Sequence, residues 1–400
     1  MLGMLTSMID DPGLHASCVA LPRASSSPSG PADAITVFLC GDVMIGRGID
    51  HILPHPSDPR LYEPFIKTAR GYVELAIKAN GPIPAPVDFT YIWGDALDAF
   101  ARLAPDMRII NLETAVTASD TPWPGKGIHY RLHPANVPCL AAAHIDCCVL
   151  SNNHILDWGY AGLAETLDTL RNVQVQTAGA GHNLAEAVAP AVLDVAGKGR
   201  VLVWALGAES SGIPQSWATT PHRPGVHLLP DLSDTTVRAI ADAVQARKQI
   251  RDIAVVSLHW GGNWGYSVPS EQQRFAQQFI DEAGVDIVYG HSSHHPKGIE
   301  VFHGKLILYG CGDFLNDYEG IRGYEAFRDD LTLMYFVTVE PRTGLLQHLT
   351  MIPMQLKRLR LNRGRTDEAH WLRDMLHREG RRFGTRVVLH EDNTLTLQWR

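Results

Sequence analysis

Residues 285–314 read VDIVYGHSSHHPKGIEVFHGKLILYGCGDF. Two apolar runs, Val285–Tyr289 and Lys305–Tyr309, each stop at a glycine, and polar residues follow at once. The first is followed by Gly290-His291-Ser292-Ser293-His294-His295 and the second by Gly310-Cys311-Gly312-Asp313-Phe314. Short β-branched runs of this length predict buried strands. In α/β folds the carboxyl ends of such strands open into the crevice where ligands bind.

The same arrangement recurs outward in both directions. Predicted strands Ile35–Gly41, Met107–Leu112, Ile145–Leu150 and Ile253–His259 lead into Asp42, into Asn111-Leu112-Glu113, into Ser151-Asn152-Asn153-His154 with Asp157, and into His259-Trp260-Gly261. Val201–Leu206 and Leu331–Val339 complete the strands. Ile253–Leu258 does not alternate polar with apolar, which predicts a strand covered on both faces. Helices are expected over Pro64–Lys78, Ala96–Leu103, Ala161–Asn172, Thr235–Lys248 and Glu271–Ala283. Alternation of strands and helices implies an α/β layered fold. Near the end, Thr366 is expected to cap a helix over Asp367–Arg378, with strands Arg386–Leu389 and Thr394–Gln398 after it. The organisation expected is a disordered leader over residues 1–34, rich in Ser, Pro and Gly at its end, and one large domain over residues 35–400.

Composition narrows the function. With 45% apolar and 20% charged residues, the 400-residue chain has material for a core. A net charge of −8 argues against a general nucleic-acid binder. No apolar run approaches the roughly 18 residues of a membrane helix. The six cysteines, Cys18, Cys40, Cys139, Cys147, Cys148 and Cys311, form no C-x-x-C pair. The N-terminal stretch lacks a basic region followed by an apolar core of export type. A reduced, cytoplasmic protein is expected, with no nucleic-acid or membrane partner; composition says nothing about oligomeric state.

Any one of these polar clusters reads equally well as a turn, a helix cap or a satisfied core histidine. Their recurrence after strand upon strand points instead to one shared site. Carboxylates, imidazoles and amide oxygens without a thiolate suit a divalent cation such as Mn²⁺, Fe²⁺, Zn²⁺, Mg²⁺ or Ca²⁺. His291 and His294 are spaced to reach one centre, whereas His295 should project elsewhere and is a candidate reacting group. Two His–carboxylate pairs are expected: His154 with Asp157, and His295 with Asp313. A carboxylate beside an imidazole sets its tautomer and suits it to proton transfer.

Gly41-Asp42-Val43-Met44, Asn111-Leu112-Glu113, Asn152-Asn153-His154-Ile155-Leu156-Asp157, His259-Trp260-Gly261, Gly290-His291-Ser292-Ser293-His294 and Ile307-Leu308-Tyr309-Gly310 stand in the order found in CapA-type proteins of poly-γ-glutamate capsule synthesis. The chain resembles that family from about Val37 to Tyr318. The resemblance implies a calcineurin-like αββα sandwich, similar to metallophosphoesterases, with a metal site at the strand ends. It also implies Asp42, Glu113, Asn153, His259, His291 and His294 as metal ligands. Two departures stand out. Gly262-Asn263-Trp264-Gly265 follows His-Trp-Gly where the family usually carries Glu, and Gly312-Asp313-Phe314 replaces Gly-Asn-Phe. One fewer carboxylate near His259 favours a single ion, and Asp313 adds an acid–base candidate.

Three functions are compatible with this pattern. One is a metal-dependent epimerase inverting a Cα centre of a lasso-type precursor peptide, using His154/Asp157 and His295/Asp313. Another is a metal-dependent hydrolase of phosphoesters or of γ-glutamyl or other amides. The third is a component of poly-γ-glutamate capsule synthesis, binding a peptide or a poly-glutamate-like polymer without catalysis of its own.

Overall fold

Burial along the central strands sets the layers. In β1 (Ile35–Cys40), Ile35, Val37 and Leu39 face one apolar core while Phe38 and Cys40 face another. The computed structural model describes residues 33–400, so the expected leader lies outside the described residues except for its last two.

After β1 come β2 (Asp42–Val43), α1 (Arg47–Ile52), α2 (Arg70–Asn80), α3 (Ala96–Leu103), β3 (Met107–Leu112), β4 (Cys147–Val149), α4 (Gly159–Asn172), β5 (Gln176–Ala178), β6 (Ala191–Val195) and β7 (Gly199–Gly207). The second half holds α5 (Asp234–Gln245), β8 (Asp252–His259), α6 (Ser270–Asp281), β9 (Ile287–His291), β10 (Ile299–Phe302), β11 (Lys305–Leu308), β12 (Asp313–Leu315), β13 (Leu331–Val339), β14 (Leu346–Leu356), β15 (Leu361–Arg363), α7 (Thr366–Gly380), β16 (Thr385–Leu389) and β17 (Leu395–Trp399).

The first sheet has eleven strands. Its path β12-β2-β3-β1-β13-β14-β17-β16 is joined by β4 and β5 beyond β3, and by β15 on β14. The second has six, in the order β10-β11-β9-β8-β7-β6. Alternate residues of both sheets interdigitate in a shared interior that includes Val37, Ile109, Val203, Val255, Tyr289 and Tyr335. Residues on the outer face of the first sheet pack with α3 and α4, and those of the second with α5 and α6. The arrangement is an αββα sandwich, as the family resemblance implies. Ile253 and Val255 of β8 face the inter-sheet core while Ala254, Val256 and Leu258 face the helices, so this strand is covered on both sides. Each buried aliphatic side chain contributes about 1.5–3 kcal/mol.

Two local expectations are corrected. The helix expected from Pro64 begins only at Arg70, because residues 60–69 close a loop on themselves through Leu61 N–H to Lys67 O (3.0 Å) and Ala69 N–H to Pro59 O (2.7 Å). That loop carries Glu63 inward to Arg47 and Tyr72. Thr366 does not cap α7; Arg365 stands at that position, its N–H donating to Glu368 Oε2 at 2.8 Å. Leu372, Met375 and Leu376 of α7 close one margin of the inter-sheet core.

Two contacts align the sheets at their functional end. The Tyr289 hydroxyl of β9 donates across the interior to the carbonyl of Cys40 at the end of β1. Beyond it, Gly41 lies against Gly312, and the Asp42 N–H donates to the Gly312 carbonyl at 2.9 Å. A Cβ on Gly41 would stand 1.9 Å from that oxygen. Gly41→Ala is therefore expected to destabilise the protein by about 1–3 kcal/mol, the usual cost of forced overpacking, and to weaken metal binding by displacing Asp42. Gly262→Ala is the control, because its Cβ would meet nothing within 4 Å. Thermal melts of both variants test this, and an unaltered Gly41→Ala melting curve would show that the strand ends can separate freely.

Candidate metal centre

The strand registers assemble the site in two rows. On the first sheet Asn111, Asp42 and Asp313 are direct neighbours across three parallel strands, through Asp42↔Asn111 and Asp313↔Asp42. On the second, His259 is in register with His291. The two rows face each other at the strand ends, and Glu113 joins them from the residue after β3.

Asp42, Glu113 and His259 each present a ligand atom within 4.8 Å of the others, and all three are buried. Asp42 is fully enclosed. Its Oδ1 accepts from Asn111 Nδ2 (2.7 Å), and its Oδ2 accepts from the Ser292 N–H (3.1 Å). Ser292 reaches that position with φ +83°, a conformation rarely adopted by a residue with a side chain and characteristic of sites that hold strain. His291 Nδ1 lies 2.9 Å from Asp42 Oδ1 without the alignment of a hydrogen bond, and neither of its ring nitrogens has a hydrogen-bond partner among the described residues. Glu113 Oε2 is likewise buried and unpartnered. Asn153 is tied in through its Oδ1, 3.0 Å from His259 Nε2.

The electrostatics call for a cation. Burial raises the Glu113 carboxyl well above its ordinary range, and the neighbouring charges of Asp42 and Asp313 raise it further. Burial also opposes ionisation of Asp42, but His291, His259 and Asn111 outweigh it and hold that carboxyl well below the usual range. His259 is pushed down to about 3 by burial and then by the nearby His291, His154 and His294, against the pull of Asp42. Neutral imidazole and crowded carboxylates are the forms in which these groups ligate a metal. The donor set, with orphaned atoms on Glu113 and His291, fits a divalent ion of moderate hardness.

The six expected ligands are not equivalent. Asp42, Glu113 and His259 form the tight cluster, with Asn153 and His291 touching it. His294 is engaged elsewhere: its Nδ1 lies 2.8 Å from Asp313 Oδ1 and its Nε2 2.9 Å from Asn263 Nδ2. The expected His295–Asp313 contact is thus not formed, because the loop turns the preceding histidine toward Asp313. His295 instead has Nδ1 3.1 Å from the Pro296 carbonyl, and its ring lies among Trp264, Tyr266 and Phe327. Burial lowers His294's affinity for a proton, but Asp313 and Asp42 overcome that and raise its pKa.

His154 and Asp157 do lie together, Nδ1 to Oδ2 at 2.7 Å. Asp157 is fully buried and also accepts from the Tyr130 N–H (2.7 Å) and from Lys126 Nζ (2.5 Å). Lys126 Nζ lies 3.1 Å from the same Nδ1, and Nε2 faces Glu113 Oε1 at 3.8 Å. Burial pushes His154 down to about 4, with Lys126 adding to the effect and Asp157 resisting it. The imidazole is therefore neutral at pH 7.

Several supporting residues carried no recognised signal. Asn111 and Asn152 stand within the quoted motifs; Asn152 Nδ2 donates to Asn111 Oδ1 at 3.0 Å and orients it. Lys126 comes from a loop without periodic pattern. Arg47 is buried and held by Asp317 and Glu63. Its guanidinium lies 4.3 Å from the Tyr130 ring, which in turn meets the His154 ring edge-on at 4.6 Å.

Comparison with known proteins follows this geometry. The family described as "Bacterial capsule synthesis protein PGA_cap" matches residues 36–318. The chain belongs to this family. All of the clustered PGA_cap residues described above lie within that span. A probable polyglutamine synthesis accessory protein of Mycobacterium tuberculosis is 48% identical over 370 residues, covering 92% of this chain and 97% of the relative. The PGA biosynthesis protein CapA of Bacillus subtilis is 26% identical over 305 residues, covering 76% of this chain and 68% of that protein. The capsule biosynthesis protein CapA of Bacillus anthracis is 26% identical over 312 residues, with shares of 76% and 64%. Among the described residues of this PGA_cap protein, no helix is long and apolar enough to cross a membrane.

Elemental analysis is expected to find about one divalent ion per chain, the number one such cluster holds. At free metal one hundred times Kd, the ion stabilises the fold by about 2.7 kcal/mol. Glu113→Gln separates the ion's effect from that of the protein charges. It should lower metal occupancy, yet raise the melting temperature of chelator-treated protein at pH 7 by removing a crowded carboxylate whose raised pKa disfavours its charged form. A chelator-treated Glu113→Gln protein less stable than its parent would contradict the charge-crowding account.

Proposed function

We propose that this chain is a metal-dependent enzyme acting on the amide links of a glutamate- or glutamine-type polymer during its synthesis. The reading is carried by one observation: the Lys126–Asp157–His154 arrangement, which leaves a neutral imidazole nitrogen facing the carboxylate and imidazole cluster. The relatives' names, which refer to polyglutamine synthesis, PGA biosynthesis and capsule biosynthesis, support the choice of polymer.

A divalent ion at Asp42, Glu113 and His259 would supply Lewis-acid polarisation of an amide carbonyl. The protein's own groups do the rest. His154 Nε2 is unprotonated at pH 7 and positioned to take a proton from an incoming nucleophile, then return it to the departing amine. Asp157 holds the ring in the required tautomer and stabilises its transient charge. Lys126 keeps Asp157 ionised, and Tyr130 restricts the ring's orientation from the side.

Cα inversion is the second reading, and one specific contact favours it. His294–Asp313 forms a further imidazole–carboxylate pair, so two proton-transfer groups flank the cluster even though His295 is not one of them. Incubating the metal-loaded protein with a γ-linked glutamate oligomer in D₂O separates the two. Shortened chains without deuterium at Cα support amide cleavage, and intact chains carrying deuterium there support inversion. His154→Gln should lower either activity by about 10²–10⁴-fold, the usual contribution of a general acid–base group, with metal content retained. Asp157→Asn should lose activity through the wrong tautomer. Full activity in His154→Gln would overturn the assignment, and neither product from any γ- or α-linked oligomer would overturn the enzyme reading.

A further inference from the structure

A second cleft opens at the margin of the first sheet formed by β14, β16 and β17. It measures about 710 Å³, within the range of ligand sites, and is bounded by the start of β14, the end of α7, and strands β16 and β17. The strand registers place it. His348 is the β14 partner of Thr338, which is the β13 partner of Thr36. Thr36 stands six residues before Asp42, so the His348 side of the cleft is offset from Asp42 by about 20 Å along the strand direction, at about 3.3 Å per residue.

Its lining brings together His348, His377, Arg381, Arg386 and Arg400 with no Asp or Glu side chain among them. The chain as a whole carries a net charge of −8, so a cleft lined by these basic side chains without an Asp or Glu side chain runs against its average. Some exposed arginines elsewhere are neutralised, as Arg102 is by Asp392 and Arg171 by Asp168. In the cleft Arg386 bonds only the neutral amide of Gln398, Nε to Oε1 at 2.7 Å. The three guanidinium groups belong to separate segments: one follows α7, one is on β16 and one follows β17. Each fork matches a planar carboxylate, so the three together offer contacts to more than one carboxylate. Duplex or single-stranded nucleic acid fits less well, because the overall charge is negative and the basic groups line a pocket instead of a track.

We propose that this cleft binds a carboxylate-rich chain, such as a short run of glutamyl residues, away from the metal centre. The choice of glutamyl side chains rests on the polymer reading above. The cleft's preference for several carboxylates does not. Such an exosite would tether the chain while a distant link is presented to the catalytic groups, raising the effective concentration of those links.

Titration calorimetry on the full-length protein with a decaglutamate peptide at low salt tests the proposal. Arg381→Gln/Arg386→Gln should weaken binding by about tenfold or more, the loss of two charge-assisted contacts, with metal content and melting temperature unchanged. The single Arg381→Glu variant should reproduce the loss if the double change unsettles the β16–β17 hairpin. Asp42→Asn should leave decaglutamate binding intact, so failure of the catalytic reading is distinguishable from failure of this one. No binding of decaglutamate, or binding lost in Asp42→Asn and kept in the arginine variants, would overturn the site. Equal or tighter binding of inorganic phosphate or of an oligonucleotide of matched charge would overturn its ligand class.

Discussion

Asp42 is a carboxylate with no access to water, and much of the molecule's functional end is organised by what it needs. An ionised, buried group must find donors or a counter-charge, since its desolvation costs several kcal/mol. Here the donors come from Asn111 on one neighbouring strand and from the strained backbone of Ser292 on the opposite sheet. Asp313 on the other neighbouring strand is a second carboxylate, and Glu113 a third. Three acids in one dry space repel each other, and the imidazole of His259, whose proton affinity burial lowers, does not cancel that charge. Carboxylates crowded in this way, with their charged forms disfavoured, are groups that a divalent cation could hold together.

The same demand explains features that look unrelated. Gly41 has no room for a side chain because β2 must approach the Gly312 carbonyl closely enough to set Asp313 beside Asp42. Tyr289 spans the inter-sheet core to hold Cys40, so the two sheets end at the same level. Around the centre, further buried charges are neutralised in pairs: Asp157 by Lys126, and Arg47 by Asp317 and Glu63. Each pair holds an aromatic or imidazole ring at a set angle. Packing alone would leave those rings freer to move.

Much of this was legible in the residues. Apolar runs ending in glycine and polar groups located the strands, and β3 and β13 have the bounds that their β-branched runs imply. Other elements were hidden. β14 contains Gln347, His348 and Pro353 and so lacks a clean alternation, yet it pairs along its length with β13 because its neighbours supply the burial that its own pattern does not. Arg47–Ile52 carries no long periodic stripe, and its helix is fixed by Asp317, which accepts from the Gly48 N–H at 2.8 Å. The basic cleft is formed by segments from 347 to 400, too far apart in the chain to register as a charge cluster.

The family resemblance implied the αββα sandwich; the sequence by itself determined the α/β layering, the end of the sheets at which the site lies, and the donor types it offers. Those follow from local properties: side-chain period, glycine breaks and the polar residue next along the chain. It also determined the His154–Asp157 pair, whose members are three residues apart. Only the tertiary structure decided which of two adjacent histidines meets Asp313. That choice depends on the turn after β9, where Ser292 takes a positive φ to reach Asp42 and thereby directs His294, not His295, toward Asp313. Nor could local sequence reveal that Lys126 supports Asp157, because a buried carboxylate is satisfied by whichever cation the fold brings within reach, at any separation along the chain.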